Sequence, residues 1–213
     1  MRKLLPKYRK LFSEYSKTLK LPKVKSNNPS VVAPFGPCCV GKTTTMTYLA
    51  KKLPFVHLNH DKMRLFMRER GIGENEGNKI LYKYLPIVRL SRQFLLKGYS
   101  VILDRDFGTN NKNILVAVEK ETQRLGIKFF LIKIWAAKRF VVQKIMTRKL
   151  MPPERGGILD RKTALDCYLY SLTHYAKNYK RLAPKAVANI NTSKPIASQL
   201  KNLIKFLKTE MGV

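Results

Sequence analysis

Apolar positions recur along most of the chain in two patterns, short continuous runs and longer stretches with spacings of three and four. The short runs, bounded by turn-forming residues, predict buried strands, and the longer periodic stretches predict helices. The predicted strands are 30–33, 55–58, 100–103, 128–134 and 186–190. The predicted helices are 42–52, 62–70, 79–97, 113–125, 137–149, 161–182 and 195–208. This alternation indicates an α/β fold with parallel strands, helices on both faces and a ligand site at the carboxyl ends of the strands.

The N-terminal part of the chain has a pattern of its own. Apolar side chains at spacings of three and four, separated by Lys and Arg, predict a basic amphipathic helix over 3–19. This helix either packs on the core or forms an arm for a membrane surface or a nucleic acid. Residues 22–29, rich in Lys, Ser and Asn, predict a linker. We therefore expect a helix and linker over 1–29 and a main domain over 30–213.

Charge adds one possible class of partner. Forty-three Lys and Arg against thirteen Asp and Glu give a net charge of +30, which attracts polyanions, although a lysine bias that favours solubility gives the same count. The hydrophobic fraction of 45% is ordinary for a soluble globular protein, and no apolar run is long enough to span a bilayer. The basic N-terminus lacks the apolar core of a signal peptide, and three cysteines give no disulfide framework. We expect a cytoplasmic protein without stable membrane insertion.

The first predicted strand runs into the stretch GPCCVGKTTT at 36–45. Its spacing is that of a phosphate-binding loop, G-x-x-x-x-G-K-[ST], in which two glycines let successive backbone N–H groups point at phosphate oxygens. The lysine reaches the β- and γ-phosphates, the threonine hydroxyl binds Mg²⁺, and the following helix presents its N-terminus to the anion. The residues expected to bind the nucleotide are Gly36, Pro37, Cys38, Cys39, Val40, Gly41, Lys42, Thr43 and Thr44.

Two acidic residues follow the next two predicted strands. Asp61 comes shortly after 55–58, and Asp104 directly after 100–103. Because the carboxyl ends of parallel strands share one edge of the sheet, both should lie near the phosphate loop. Each could instead be only a helix cap or a turn residue.

These motifs resemble those of P-loop kinases, and more narrowly the group of polynucleotide 5′-hydroxyl kinases, zeta-toxin-like kinases and small antibiotic phosphotransferases. The resemblance covers about residues 30 to 208 and implies a three-layer P-loop NTPase sandwich with a five-stranded parallel sheet and a helical lid. In this group a D-x-x-R motif, here Asp61 to Arg64, supplies an acid that takes the acceptor's proton and an arginine that holds the acceptor.

The same resemblance implies further site residues. VILDRDFGTN at 101–110 is similar to a strand that ends in an acid, so Asp104 would bind Mg²⁺ with Thr43 or orient the acceptor. Arg105-Asp106 replaces the commoner small polar pair, which leaves open whether Asp104 or Asp106 is the functional acid. TRKLMPPERGG matches an arginine-rich lid over about 148–160 and offers Arg148 and Arg155 as catalytic cations, although both could be ordinary solvated charges. Residues 191–195 are similar to a turn that borders the adenine.

The chemistry of phosphoryl transfer supports these roles. A carboxylate beside an alcohol helps by accepting its proton, and cations neutralise the charge on the γ-phosphate. Neighbouring side chains on an extended segment point to opposite sides, so we expect only one of His60 and Asp61 to face the site. We prefer Asp61 as the base, because the spacing to Arg64 accompanies it. His57, His60 and His174 are expected to be packing or surface residues.

Other phosphate-loop classes fit less well. Asn111-Lys112-Asn113 lacks the following Asp of a guanine-binding motif, and Asp104-Arg105 lacks the paired acids that are typical of motor ATPases. The expected activity is therefore transfer of the γ-phosphate of ATP, with Mg²⁺, to an acceptor alcohol. The 5′-hydroxyl of RNA or DNA is the leading acceptor, ahead of a nucleoside, sugar or antibiotic, and a nucleic-acid-binding ATP switch is a third hypothesis.

Residues 71–97 are expected to line the acceptor pocket, but they match no motif. The stretch GIGENEG at 71–77 is typical of a mobile loop or a turn.

Overall fold

The computed structural model describes residues 5–105, 112–147 and 160–213, and within these ranges the side chains of residues 112 and 113 are not described. Five parallel strands form one sheet in the order β2-β3-β1-β4-β5. The predicted five-stranded parallel sheet is therefore confirmed, and each strand runs one or two residues further at its carboxyl end than predicted. The strands are β1 Ser30–Phe35, β2 Phe55–Asn59, β3 Ser100–Asp104, β4 Lys128–Trp135 and β5 Ala186–Asn191.

Helices connect the strands and cover both faces of the sheet. They are α1 Pro6–Lys17, α2 Lys42–Lys52, α3 His60–Arg68, α4 Glu74–Lys83, α5 Pro86–Leu95, α6 Lys112–Arg124, α7 Lys138–Thr147, α8 Arg161–Leu182 and α9 Ile196–Met211, with a short 3-10 turn at Ala183–Lys185. Within the described ranges, no helix combines the length and the apolar character needed to cross a membrane.

One helix prediction was wrong. The stretch 79–97 forms two helices, because Leu85 takes a left-handed conformation with φ of 49° and Pro86 then starts α5. Proline lacks the N–H that a continuous helix would need at this position, but it suits a first helical residue. The glycine-rich GIGENEG stretch is not simply a loop either, since α4 begins inside it at Glu74.

The core has two parts, one on each face of the sheet. Successive strand residues point to opposite faces, so Val31 belongs to one cluster of buried side chains and Val32 to the other. Helices α1, α3, α4, α5 and α6 supply the first cluster, α2, α7 and α9 the second, and α8 contributes to both. The result is a three-layer α/β sandwich in which the central strands β1 and β3 are buried along their whole length.

Helix α1 is part of the first core cluster. Its buried side chains Tyr8, Leu11, Phe12 and Tyr15 pack towards α3 and α5, and the Tyr15 hydroxyl donates a hydrogen bond of 3.3 Å to the carbonyl of Asn59 at the end of β2. Of the two readings of the N-terminal pattern, the structure therefore shows a helix packed on the core. A domain boundary near residue 30 stays a prediction.

Candidate functional site

Residues 36–41 form a curled loop between β1 and α2. Three of them have positive φ, with 155° at Gly36, 61° at Cys39 and 92° at Gly41. The backbone at Gly36 passes so close to β4 that a Cβ there would lie 1.9 Å from the carbonyl oxygen of Ile134. A side chain is therefore excluded at this position, and the curl depends on glycine.

Lys42 folds back over this loop. Its ammonium donates hydrogen bonds of 2.8 Å to the carbonyl of Gly36 and 2.6 Å to the carbonyl of Pro37. The charge is thus held over the loop and only partly buried, next to the N-terminus of α2, where the helix dipole also favours an anion. The Lys42 ammonium is therefore already positioned to contact a phosphate group that binds in the loop.

Two other elements support the loop from outside. The N–H of Cys38 donates a 2.7 Å hydrogen bond to the hydroxyl of Ser171 on α8, and the hydroxyl of Thr192 donates one of 2.6 Å to the carbonyl of Val40. Thr192 belongs to the turn over 191–195, so the structure brings that turn against the phosphate loop, while its contact with adenine stays a prediction. Cys38 and Cys39 are not joined in a disulfide bond.

The carboxylate of Asp104 lies at the end of β3 and contacts the phosphate-loop threonine. The Thr43 hydroxyl donates a 3.2 Å hydrogen bond to Oδ1 of Asp104. The other oxygen, Oδ2, accepts 2.6 Å from Nδ2 of Asn59 and lies 3.1 Å from Nε2 of His57. One oxygen is therefore fixed by β2, and the other faces the phosphate loop.

Thr43 and Asp104 together suit a hard cation. A hydroxyl and a carboxylate are the oxygen ligands that Mg²⁺ prefers, and Mg²⁺ in nucleotide sites takes few protein ligands because phosphates and water supply the others. No group of three or more His, Cys, Asp or Glu side chains in the described ranges could hold a metal ion by itself.

His57 and Asn59 were not predicted to belong to the site. The interpretation of His57 as a packing or surface residue was wrong, since its ring contacts the buried carboxylate of Asp104. Asn59 is the Cα partner of Asp104 in the parallel register of β2 and β3. A polar residue at the carboxyl end of β2, level with the acid that ends β3, was the signal that could have revealed it.

Asp61 and Arg64 lie on α3, which begins directly after β2. The Asp61 side chain is 71% exposed, and its Oδ1 lies 3.8 Å from both Nδ1 of His60 and Nη1 of Arg64. His60, followed by the charges of Arg64 and Arg105, holds the pKa of Asp61 below its ordinary value, so this carboxylate is ionised near neutral pH, the form that a general base needs.

The environment of His60 differs from that of its neighbour. Burial lowers the pKa of His60, which keeps the ring neutral near pH 7. The premise that His60 and Asp61 lie on an extended segment was wrong, because α3 already begins at His60. Their side chains nevertheless differ in exposure, since His60 is buried and Asp61 is exposed. The preference for Asp61 as the base stays a prediction, which rests on the neighbouring Arg64 and on the exposed, ionised carboxylate of Asp61.

Several predicted site residues fall outside the described ranges. Asp106, Arg148 and Arg155 are among them, as is nearly all of the predicted lid over 148–160. The choice between Asp104 and Asp106 as functional acid, and the catalytic role of the lid arginines, stay predictions.

Comparisons with known proteins identify solved structures with a similar fold. No protein-family model matches the chain, and no curated protein sequence matches it. Among solved structures, APE1195 superposes with a TM-score of 0.55 at 19% identity over 88% of this chain and 99% of its own. A sugar kinase from Janibacter sp. HTCC2649 gives 0.52 at 11% identity, covering 84% and 95%. A gluconokinase from Sinorhizobium meliloti 1021 gives 0.53 at 10% identity, covering 88% and 96%. The chain therefore shares the fold of these three structures, a three-layer α/β sandwich around a parallel sheet.

Proposed function

We propose that the chain is an ATP- and Mg²⁺-dependent kinase that phosphorylates an alcohol group of a small molecule. The observation that carries the proposal is the contact between Thr43 and Asp104 beside the lysine of the phosphate loop. It joins a nucleotide-binding loop to a carboxylate suited to a metal, at the same sheet edge as the ionised Asp61. The likeness in fold to a sugar kinase and a gluconokinase supports the same class of reaction.

Each residue has a definable task in such a transfer. Backbone N–H groups within 36–43, where only Pro37 lacks one, bind the β- and γ-phosphates together with the Lys42 ammonium. Thr43 with Asp104 would hold Mg²⁺, which supplies charge neutralisation when bound. The acceptor oxygen forms a bond to the γ-phosphorus while the bond to the ADP oxygen breaks. Asp61 accepts the proton of the alcohol, and Arg64 holds the acceptor. Arg148 and Arg155 would add positive charge at the γ-phosphate.

A polynucleotide 5′-hydroxyl is the second candidate acceptor. The net charge of +30 favours it, because a polyanion would be attracted to the surface. The comparisons give it no support, whereas two of the similar structures are kinases of sugars or gluconate. We therefore place the small molecule first, which reverses the order suggested by charge and motif spacing alone.

The test is transfer of γ-labelled phosphate from ATP to a panel of sugars, sugar acids, nucleosides and 5′-hydroxyl oligonucleotides. The proposal predicts labelled product with a small molecule. Label appearing mainly on oligonucleotides would establish the second candidate. Label that never leaves ATP for any acceptor would refute both and favour an ATP-driven switch.

A pair of variants tests the role of Asp61. Asp61→Asn keeps the shape of the side chain but cannot take a proton, so turnover should fall roughly 10² to 10⁴-fold while ATP affinity is unchanged. Glu69→Gln, an exposed acid just after the end of the same helix, is the matched control and should retain parental turnover. Unimpaired turnover of Asp61→Asn would remove it as the base.

A further inference from the structure

Helices α2 and α9 lie side by side on one face of the sheet, and their outer surfaces carry an unbalanced positive charge. The sequence has no Asp or Glu between Glu14 and Asp61, a stretch that includes all of α2. Helix α9 has a single acid, Glu210, which pairs with Lys128 at the start of β4. The exposed cations of this α2–α9 surface, none of which forms an ion pair within the described ranges, are Lys51, Lys52, Lys201, Lys205 and Lys208.

The helices on the opposite face distribute their charge differently. Acidic residues stand among the basic ones there and form ion pairs with them. Glu14 of α1 pairs with Arg70 at 3.2 Å, and Glu76 of α4 pairs with Lys7 at 3.4 Å. A general lysine bias raises the number of lysines on every surface, but it does not remove the acids from one face. The α2–α9 surface therefore needs an explanation of its own.

Three of its lysines form a stripe along α9. Residues spaced by four and by three lie next to one another on a helix, so Lys201, Lys205 and Lys208 share one side over about 10 Å of the helix axis. Like charges at these spacings destabilise a helix. Lys201 and Lys205 also lie before the last turn, the only place where the helix dipole would favour a cation. The stripe is therefore unfavourable in the isolated protein, and an anionic partner would offset this.

The stripe matches the backbone of a nucleic acid. One strand of a duplex carries a phosphate about every 3.4 Å along its axis, so about 10 Å of α9 lies alongside about three phosphates. Asn202, exposed beside Lys201, adds an amide donor of the kind that binds phosphate oxygens. Contacts of lysine and amide groups with phosphates position a nucleic acid without reading its sequence.

An anionic membrane would also attract lysines, but the apolar residues of α9 do not suit it. A helix that lies on a membrane inserts a continuous apolar face, whereas Leu200, Leu203 and Leu207 are buried in the core. Along α9, which is described in full, Phe206 is the one large apolar side chain that is exposed, and its ring packs edge-on against Phe130. A single aromatic ring also gives no platform for a series of stacked bases, which again favours contact with phosphates.

We infer that the α2–α9 surface binds the phosphate backbone of a nucleic acid, independently of base sequence. This surface and α3, which carries Asp61, pack on opposite faces of the sheet, so the nucleic acid is a binding partner and not the acceptor of the proposed kinase. The net charge of +30 then has a role that requires no polynucleotide acceptor. The inference does not depend on the proposed reaction.

Fluorescence anisotropy with a short labelled duplex and with the corresponding single strand tests this surface. Saturating Mg·ADP keeps the phosphates of the probe away from the phosphate loop. Affinity is measured over a range of KCl concentrations, because the slope of log K against log salt reports the number of neutralised phosphates. Each contributes about 0.9 to the slope for a duplex and about 0.7 for a single strand. The parent should bind at least one probe with a steep slope, and the tighter complex identifies the form of nucleic acid.

A pair of triple variants locates the binding. The variant that combines Lys201→Gln, Lys205→Gln and Lys208→Gln should lose about 2 to 3 units of slope and bind about tenfold to a hundredfold more weakly at physiological salt. The matched control removes the same charge from exposed positions of α1 and α6 on the opposite face, through Lys10→Gln, Lys17→Gln and Lys120→Gln. It should keep nearly the parental slope and affinity.

Two further measurements show that the α9 variant is intact. Because like-charge repulsion is removed, its stability in urea unfolding should equal or exceed that of the parent, and its affinity for Mg·ATP should be unchanged. Equal losses in the two triple variants would mean that net charge alone drives binding and would overturn the inference. Two other results would overturn it as well: no binding of either probe by the parent, and binding of phosphatidylserine vesicles without binding of nucleic acid, which would identify a membrane as the partner.

Discussion

The phosphate loop makes one quantitative prediction through Gly36. In Gly36→Ala the added methyl would lie 1.9 Å from the Ile134 carbonyl oxygen, where ordinary contact begins at 3.4 Å. The loop or strand β4 must then move by about 1.5 Å, and overpacking of this kind costs about 1 to 3 kcal/mol. The positive φ of 155° adds a backbone cost of about 1 to 3 kcal/mol for a residue with a side chain.

Gly71→Ala separates the two contributions. Gly71 also has positive φ, at 73°, but a Cβ there meets nothing within 4 Å. Only the backbone cost remains, about 1 to 2 kcal/mol. We therefore expect a loss of about 2 to 6 kcal/mol in the free energy of unfolding for Gly36→Ala and a clearly smaller loss for Gly71→Ala.

Urea unfolding of the two variants, with the parent, measures this difference. Calorimetric titration with Mg·ATP should also show that Gly36→Ala loses nucleotide affinity, because the displaced loop no longer points its N–H groups at one phosphate, whereas Gly71→Ala binds normally. Equal destabilisation of the two variants, or unchanged nucleotide affinity in Gly36→Ala, would refute the reasoning.

Three further predictions concern the nucleotide, the core and pH. Lys42→Ala should lose Mg·ATP affinity in calorimetry, while Lys51→Ala, exposed on the same helix, should not. Phe12→Ala should lower the free energy of unfolding by about 3 to 5 kcal/mol, against little change for the exposed Leu5→Ala, if α1 belongs to the core. Burial lowers the pKa of His60, so the unfolded chain binds that proton more tightly and stability falls as the pH drops through about 6.5. His60→Asn should flatten this fall between pH 8 and 5 in urea unfolding, and an unchanged slope would contradict it.

The fold could be read from the sequence because its signals are local and repeated. Short apolar runs alternate with periodic stretches, and a glycine-lysine loop follows the first run, which together determine strand type and the edge that carries the site. The placement of Asp104 near Thr43 follows from that edge, and the structure shows the contact. The prediction of a single helix over 79–97 was wrong because apolar periodicity continues across Leu85 and Pro86, although the chain turns there.

The rest of the site depends on contacts between elements. His57 contacts Asp104 only because β2 and β3 pair in a particular register, which apolar periodicity does not specify. Arg105 was interpreted only as a departure from a motif, and the position of its guanidinium group, 5.1 Å from the centre of the Tyr82 ring, depends on where α4 lies relative to the end of β3. Such positions carry no repeated pattern, so they became visible only with the folded chain.

Asn59 connects the two halves of the proposed reaction through one amide group. Its Oδ1 accepts a 2.9 Å hydrogen bond from the backbone N–H of Lys62 and so caps α3, while its Nδ2 donates 2.6 Å to Asp104. A shift of the first turn of α3 would therefore pull on the carboxylate of Asp104, which contacts Thr43. An acceptor that draws α3 inward would change the affinity for nucleotide and metal, and by thermodynamic reciprocity these ligands would change the affinity for the acceptor by the same factor. The proposed kinase would then respond through this one side chain to the presence of both substrates.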